Sequence, residues 1–213
     1  MTLGMFDWSS HIRQRLASTA PSQAGDDLLL PGFTAEQSRA YRQHFPAEPI
    51  PAAVLVPLVE RESGLTVLLT QRATQLKNHA GQISFPGGRI ESTDDSARTA
   101  ALREAQEEIG LEPHFVSIAG YLPDHIVISG FRVTPVVGFV QPGFELLVDA
   151  VEVANTFEVP LAHIFDPANH HARLRRVVGG GEVELRDIAY GELTIWGATA
   201  GMLLTLYRLC AVQ

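Results

Sequence analysis

Apolar positions along the chain change period several times, and each change marks an element. Trp8, Ile12 and Leu16 recur every four residues. This predicts a short amphipathic helix over residues 6–18, capped by Asp7 or Ser9. Residues 19–32 read as a loop, and Thr34 and Gln37 have capping-box spacing at the head of a second helix over 34–44. The proline-rich stretch 46–51 breaks that pattern. Apolar runs at 52–59 and 65–72 then flank Glu60-Arg61-Glu62-Ser63-Gly64, the layout of a hairpin. Ile83 to Phe85 is a short apolar piece ending at Pro86-Gly87-Gly88, where two glycines allow a sharp turn. A helix is predicted from Ser96 to Ile109, with Asp94, Asp95 or Ser96 as its cap and Gly110 at C′. Strand-like segments follow at 115–122 and 131–140, and residues 151–166 read as a strand leading into a short helix. Residues 170–190 read as two strands around Gly179-Gly180-Gly181, and 195–212 as a final helix apolar on several sides. Strands and helices mix without regular βαβ alternation, so the fold class is α+β with a mixed sheet. The expected division is a helical extension over residues 1–48 and a main domain over 49–213.

Composition narrows the function classes. The chain has 213 residues, 46% of them hydrophobic, enough for a real core and against disorder. Its 16 basic and 24 acidic side chains give a net charge of −8, which argues against a general basic surface for nucleic acid. The longest uncharged stretch near the C-terminus, Leu193 to Tyr207, is too short and mixed to span a bilayer, and the N-terminus lacks a basic-then-apolar signal pattern. A single cysteine, Cys210, allows neither an intramolecular disulfide nor a cysteine-based zinc site. These features predict a soluble, cytoplasmic protein with no membrane or nucleic-acid partner. The acidity is also local: residues 91–112 hold seven acids against two bases, a net of −5.

The centre of that window is Arg103-Glu104-Ala105-Gln106-Glu107-Glu108-Ile109-Gly110-Leu111. On a helix Glu104 is three residues from Glu107 and four from Glu108, so the three carboxylates share neighbouring stripes. Glu107 is also four residues from Arg103, which allows one steadying ion pair. Two of the glutamates lie near the helix C-terminus, where the macrodipole disfavours negative charge. Such a cluster costs stability unless a cation sits there. Oxygen-only ligands suit a hard ion, Mg²⁺ or Mn²⁺. The plain alternative is a solvated acidic face.

The Phe-Pro-Gly-Gly piece, the acidic helix and its glycine cap together resemble the signature of the Nudix hydrolases, which cleave a nucleoside diphosphate linked to another group. Arg103, Glu104, Glu107, Glu108, Gly110 and Leu111 match its second half, with Ala105 in an aliphatic slot. In the front half the glycine and acid slots fall on Gly88 and Asp95, with six intervening residues in place of five and Asp in place of Glu, while Asp95 to Arg103 keeps the seven-residue gap. This longer front loop is similar to that of the coenzyme A pyrophosphatase branch. So is an upstream motif made of Leu68-Leu69-Thr70-Gln71-Arg72, Leu76, His79, Gly81-Gln82-Ile83 and Phe85-Pro86-Gly87-Gly88. A weaker resemblance covers residues 195–200.

The resemblance implies a Nudix-type α/β/α sandwich. It also implies hydrolysis of coenzyme A or acyl-coenzyme A to 3′,5′-ADP and the 4′-phosphopantetheine product. Glu104, Glu107 and Glu108 would hold Mg²⁺ or Mn²⁺, with Arg103 orienting them, and water would attack phosphorus. Glu152 is the candidate general base, against the alternative of a strand-end surface glutamate. Arg72 and Lys77 are candidates for substrate phosphates or for pairing with nearby acids. His79 is a candidate for shaping the substrate pocket. Gly81, Gln82, Gly87 and Gly88 are candidates for close backbone approach to the diphosphate. Other nucleoside diphosphate substrates, such as ADP-ribose or NADH, and a non-enzymatic nucleotide-binding module stay open as alternatives. A small-molecule partner is implied, and homodimerisation is compatible with the family analogy.

Overall fold

The hairpin expected at residues 52–72 forms and is the spine of the molecule. In a computed structural model that describes residues 6–22, 48–76, 79–127, 129–176 and 182–211, β1 spans Ile50–Arg61 and β2 spans Gly64–Arg72. They pair antiparallel from Leu58 with Val67 to Arg61 with Gly64. β1 also runs parallel to β7 (Phe131–Val140), in register from Ile50 with Phe131 to Val59 with Val140. β5 (Val116–Tyr121) pairs antiparallel with β7.

Shorter strands complete this mixed sheet. β3 (Ile83–Ser84) pairs with β2, β4 (Gly87–Arg89) with β1, β6 (His125–Ile126) with β7, and β8 (Val153–Pro160) with β2. β9 (His170–Arg176), β10 (Glu182–Tyr190) and β11 (Leu193–Ile195) form a separate antiparallel sheet.

Both faces of β1 are covered, which is why it reads as an almost unbroken apolar run. On one face Ala53, Leu55 and Val59 pack against α2 (Ala97–Ile109) through Ala97, Ala100, Ala101, Ala105 and Ile109. The alanine stripe lets this helix lie close to the sheet. On the other face Ala52, Val56 and Leu58 share a core with α1 (Trp8–Leu16), α3 (Leu161–Ile164) and α4 (Gly197–Cys210). The result is the expected α+β sandwich, a mixed sheet between helices.

Details follow the local chemistry. Asp7 caps α1 by accepting from the Ser10 N–H at 3.0 Å, and Ile12 and Leu16 are buried in the core. Of the three cap candidates for α2, Ser96 is the cap, accepting from the Thr99 N–H at 3.2 Å. Gly110 terminates the helix at φ +70, with its N–H on the Gln106 carbonyl. The expected second helix over 34–44 and the 179–181 turn lie outside the described residues.

Two expectations change. Gly87-Gly88 is not a turn: both glycines sit in β4, paired with Val54 and Ala53. The final helix begins at Gly197, because Leu193–Ile195 is taken up as β11.

Candidate active site

The acidic helix and the glycine pair meet at one corner, where β4 lies beside β1 and beneath α2. A Cβ at position 87 would strike the Ala53 carbonyl oxygen and lie 2.6 Å from Val54 Cα, so only glycine lets the strand approach this closely. The Gly87 N–H then points at α2 and donates to Glu108 Oε2 at 3.2 Å. Gly88 serves the next carboxylate. A Cβ there would lie 2.5 Å from Glu104 Oε1, in the space that carboxylate occupies. The glycines read in the sequence as turn formers are therefore the seats of two glutamates.

The three glutamates differ in environment. Glu108 is 4% exposed, and burial pushes its pKa up to about 8 against an ordinary value of 4.5. The Gly87 N–H and Arg72 pull it down, whereas Glu104 and Glu152 push it further up. Glu104 is half-buried, and desolvation raises its pKa, opposed by Arg103 and reinforced by Glu107 and Glu152. Glu107 is the exposed member, its side chain 60% accessible.

Arg103 joins two of these carboxylates. Its Nη1 bonds Glu104 Oε1 and Glu107 Oε2, both at 2.9 Å. Its Nη2 donates to the Arg89 carbonyl at 3.1 Å, tying α2 to β4. Its other partner is a correction. Arg103 grips Asp94, Nε to Oδ1 at 3.1 Å and Nη2 to Oδ2 at 2.9 Å, while Asp95 is exposed. The Asp94 side chain is only 2% exposed, and the guanidinium holds its pKa below the usual value. The front half therefore keeps its five-residue gap, from Gly88 to Asp94, and the added residue falls between Asp94 and Arg103. Counting five from Gly88 gives that answer in the sequence itself.

The upstream motif closes around the same corner. Arg72 ends β2 with Nη1 3.9 Å from Glu108 Oε1, and its buried Nε has no hydrogen-bond partner among the described residues. Its backbone is clasped by the 79–82 turn: Arg72 N–H donates to the Gln82 carbonyl at 2.9 Å, and Gly81 N–H to the Arg72 carbonyl at 3.1 Å. Gly81 adopts φ +70 and His79 φ +58, and His79 Nδ1 lies 2.9 Å from Gln82 Oε1. His79 is exposed and Gln82 half-buried, so this pair rims the site. Lys77 lies outside the described residues. Glu152 is exposed just before β8, its carbonyl accepting from Ala73 N–H at 2.8 Å, close enough for its charge to raise Glu104 and Glu108.

Sequence reasoning missed how the helix end is satisfied. The Leu147 and Asp149 N–H groups donate to the Ile109 and Glu108 carbonyls, each at 2.9 Å. These bonds cap the orphan carbonyls where two acids crowd the negative end of the dipole. A Cβ at Gly110 would lie 2.7 Å from Leu147 N, which ties the glycine cap to this contact.

The donor set fits a hard divalent cation. The candidate donors are carboxylate oxygens only, and buried Glu108 carries a desolvated acid that a cation would compensate. Among the described residues no three acid, imidazole or thiol side chains converge on one point as they stand, and Arg103 Nη1 bridges Glu104 and Glu107.

Similarity to known proteins agrees with this architecture. The family model described as NUDIX domain matches residues 49–178. The protein named "Uncharacterized Nudix hydrolase NudL" from Cronobacter sakazakii is 44% identical over 158 residues, covering 71% of this chain and 78% of its own. Its namesake from Salmonella paratyphi B is 44% identical over 153 residues with the same coverage. Among solved structures, DR0079 from Deinococcus radiodurans is 13% identical with a TM-score of 0.48, covering 78% of this chain and 88% of its own. Matched by the domain over more than half its length, and by relatives at this identity over most of theirs, the chain belongs to the Nudix family of hydrolases acting on diphosphate bonds.

Proposed function

We propose that this enzyme hydrolyses the diphosphate of coenzyme A or its acyl derivatives, releasing 3′,5′-ADP and the 4′-phosphopantetheine product. The observation that supports this most is the joining of the upstream motif to the glutamate corner: Arg72, clasped by Gly81 and Gln82, points its guanidinium at Glu108. Arg72 of the upstream motif and Glu108 of the general signature thus lie side by side, which supports reading the two motifs together. Cys210 is buried and its thiol pKa is pushed up to about 11, which takes it out of the chemistry.

Glu104, Glu107 and Glu108 would hold Mg²⁺ or Mn²⁺. When bound, the ion supplies charge neutralisation at the diphosphate and acidifies water. The chain's own residues do the rest. Gly87 and Gly88 fix where Glu108 and Glu104 sit. Arg103 holds Glu104 and Glu107 in order in the metal-free enzyme. Arg72, with an unused buried Nε–H, offers a guanidinium fork to a phosphate oxygen. His79 and Gln82 shape the rim toward the pantetheine or nucleotide arm. Glu152 takes the proton from the attacking water on its carboxylate oxygen as the water oxygen bonds phosphorus. The bridging P–O bond breaks, and its electron pair leaves with the departing phosphomonoester.

The test is product analysis with coenzyme A, acyl-coenzyme A, NADH and ADP-ribose in parallel, each with Mg²⁺ and with Mn²⁺. Formation of 3′,5′-ADP that disappears in Glu104→Gln supports the reading. Equal rates on all four substrates, or a strong preference for ADP-ribose, overturns the specificity.

A further inference from the structure

The segment that seats the glutamates is joined to the sheet on both sides of Pro86, β3 to β2 over two residues and β4 to β1 over three. Pro86 itself has no N–H to donate, and Gly87 must present its N–H to Glu108 while Gly88 must clear Glu104. A pair of hydroxyls from distant elements adds to the hold on β3. Thr199, in the first turn of α4, donates Oγ1 to the Ile83 carbonyl at 2.9 Å, 116 residues away in sequence. Thr70, in β2, donates Oγ1 to the Ser84 carbonyl at 3.1 Å and lies 2.9 Å from Ser84 Oγ. Thr199 is 8% exposed and Thr70 1% exposed, so neither bond competes with water. The Leu55 N–H takes the Pro86 carbonyl at 2.9 Å and completes the attachment.

We propose that Thr70 and Thr199 form a hydroxyl clamp that positions the metal-binding glutamates through Gly87 and Gly88. The inference rests on the reading of Glu104, Glu107 and Glu108 as metal ligands. Thr199 lies outside the matched domain, residues 49–178, and this bond links α4 to the segment that carries Gly87 and Gly88. Both threonines are positioning residues: they touch neither metal nor substrate. Loss of the Thr199 hydroxyl removes a buried donor from the Ile83 carbonyl, and loss of the Thr70 hydroxyl removes one from the Ser84 carbonyl, whereas a retained hydroxyl on a smaller side chain keeps the bond. Supporting groups behind metal ligands typically matter by 10- to 100-fold in affinity.

The experiment is Mn²⁺ titration calorimetry, without substrate, on the wild type, T199V, T199S, T70V and T205V. Thr205 Oγ1 bonds the Gly201 carbonyl within α4 at 2.8 Å and serves as the control for helix destabilisation. The expected result is roughly 10-fold weaker Mn²⁺ binding for T199V and T70V. T199S should stay within about twofold of wild type, since it keeps the hydroxyl, and T205V should be unchanged. Should T199V fail to fold, T70V carries the test from the other arm. Wild-type affinity in folded T199V or T70V overturns the clamp, and so does T199S binding as poorly as T199V. If instead Glu108→Gln binds Mn²⁺ as wild type does, it is the metal-ligand reading that falls.

Discussion

Gly87 donates its backbone N–H to Glu108 Oε2 across 3.2 Å, inside a pocket where Glu108 is 4% exposed. One strand thus carries both the donor that orients this carboxylate and, at Gly88, the space for Glu104. The site is held by backbone against carboxylate on one side and by Arg103 against carboxylate on the other. Glutamate rotation is limited on the first side and permitted on the second.

Glu108 makes the metal-free enzyme pH-sensitive in an unusual direction. Its folded pKa of about 8 lies above the ordinary 4.5, so the folded chain keeps a proton that the unfolded chain releases. The stability linked to the neutral carboxyl is complete below about pH 4.5 and is lost as pH rises toward about 8. Glu108→Gln should therefore melt higher than wild type in chelator at pH 8, while the two converge near pH 5. Its hydrolytic activity should fall by at least ~100-fold. Thermal denaturation in EDTA at the two pH values decides; a variant less stable at pH 8 removes the argument.

The two glycines should separate folding from function. Alanine at 87 meets backbone of β1, which cannot yield, so Gly87→Ala should cost about 1–3 kcal/mol of stability or more. Alanine at 88 meets the far end of the Glu104 side chain, which can swing away. Gly88→Ala should fold within ~1 kcal/mol of wild type and yet bind Mn²⁺ roughly 10-fold more weakly. Shortening the displaced ligand in Gly88→Ala/Glu104→Asp should recover part of that loss. Urea denaturation and Mn²⁺ titration on the same preparations separate the two effects.

Asp94 and Asp95 are adjacent, alike in chemistry and unequal in role. Asp94 is gripped by Arg103 and buried, whereas Asp95 is exposed. Asp94→Asn should cost about 1–3 kcal/mol, and Asp95→Asn should stay within about 0.5 kcal/mol. Because Arg103 holds the Asp94 pKa below 3.8, its contribution is present above that pH and is lost as pH falls through the folded value. Wild type should therefore lose stability below pH 3.8 more steeply than Asp94→Asn. Equal effects of the two substitutions would falsify the assignment of Asp94 as the partner of Arg103.

That pair also marks where the sequence was legible. Periodicity and caps recovered α1, the β1–β2 hairpin, α2 and its glycine end, because each is decided by neighbours within a few residues. Spacing on one helix gave Glu104, Glu107, Glu108 and Arg103 for the same reason. For Gly87 and Gly88 the local pattern suggests a turn, because glycine serves both tight turns and close strand contact, and the Ala53–Val54 backbone that distinguishes them is distant in sequence. The parallel pairing of β1 with β7 and the capping of Glu108 and Ile109 by Asp149 and Leu147 are long-range choices that no local pattern encodes.

Glu152 offers a test that separates base from ligand. Its carboxylate is exposed and raises the pKa of both Glu104 and Glu108 by charge. Removing that charge in Glu152→Gln should let the two ionise at lower pH, so Mn²⁺ binding in the absence of substrate should begin at lower pH than in wild type. A ligand substitution such as Glu104→Gln should weaken Mn²⁺ binding at every pH. A general base contributes roughly 100- to 10,000-fold to rate. Glu152→Gln should accordingly lose kcat on that scale while KM for the diphosphate substrate changes little. The loss should shrink as pH rises and hydroxide replaces the missing base. Measured kcat–pH profiles and Mn²⁺ titrations at pH 6 and 8 read both effects. Unchanged kcat removes Glu152 from the proton transfer, and weaker Mn²⁺ binding at both pH values makes it a ligand instead.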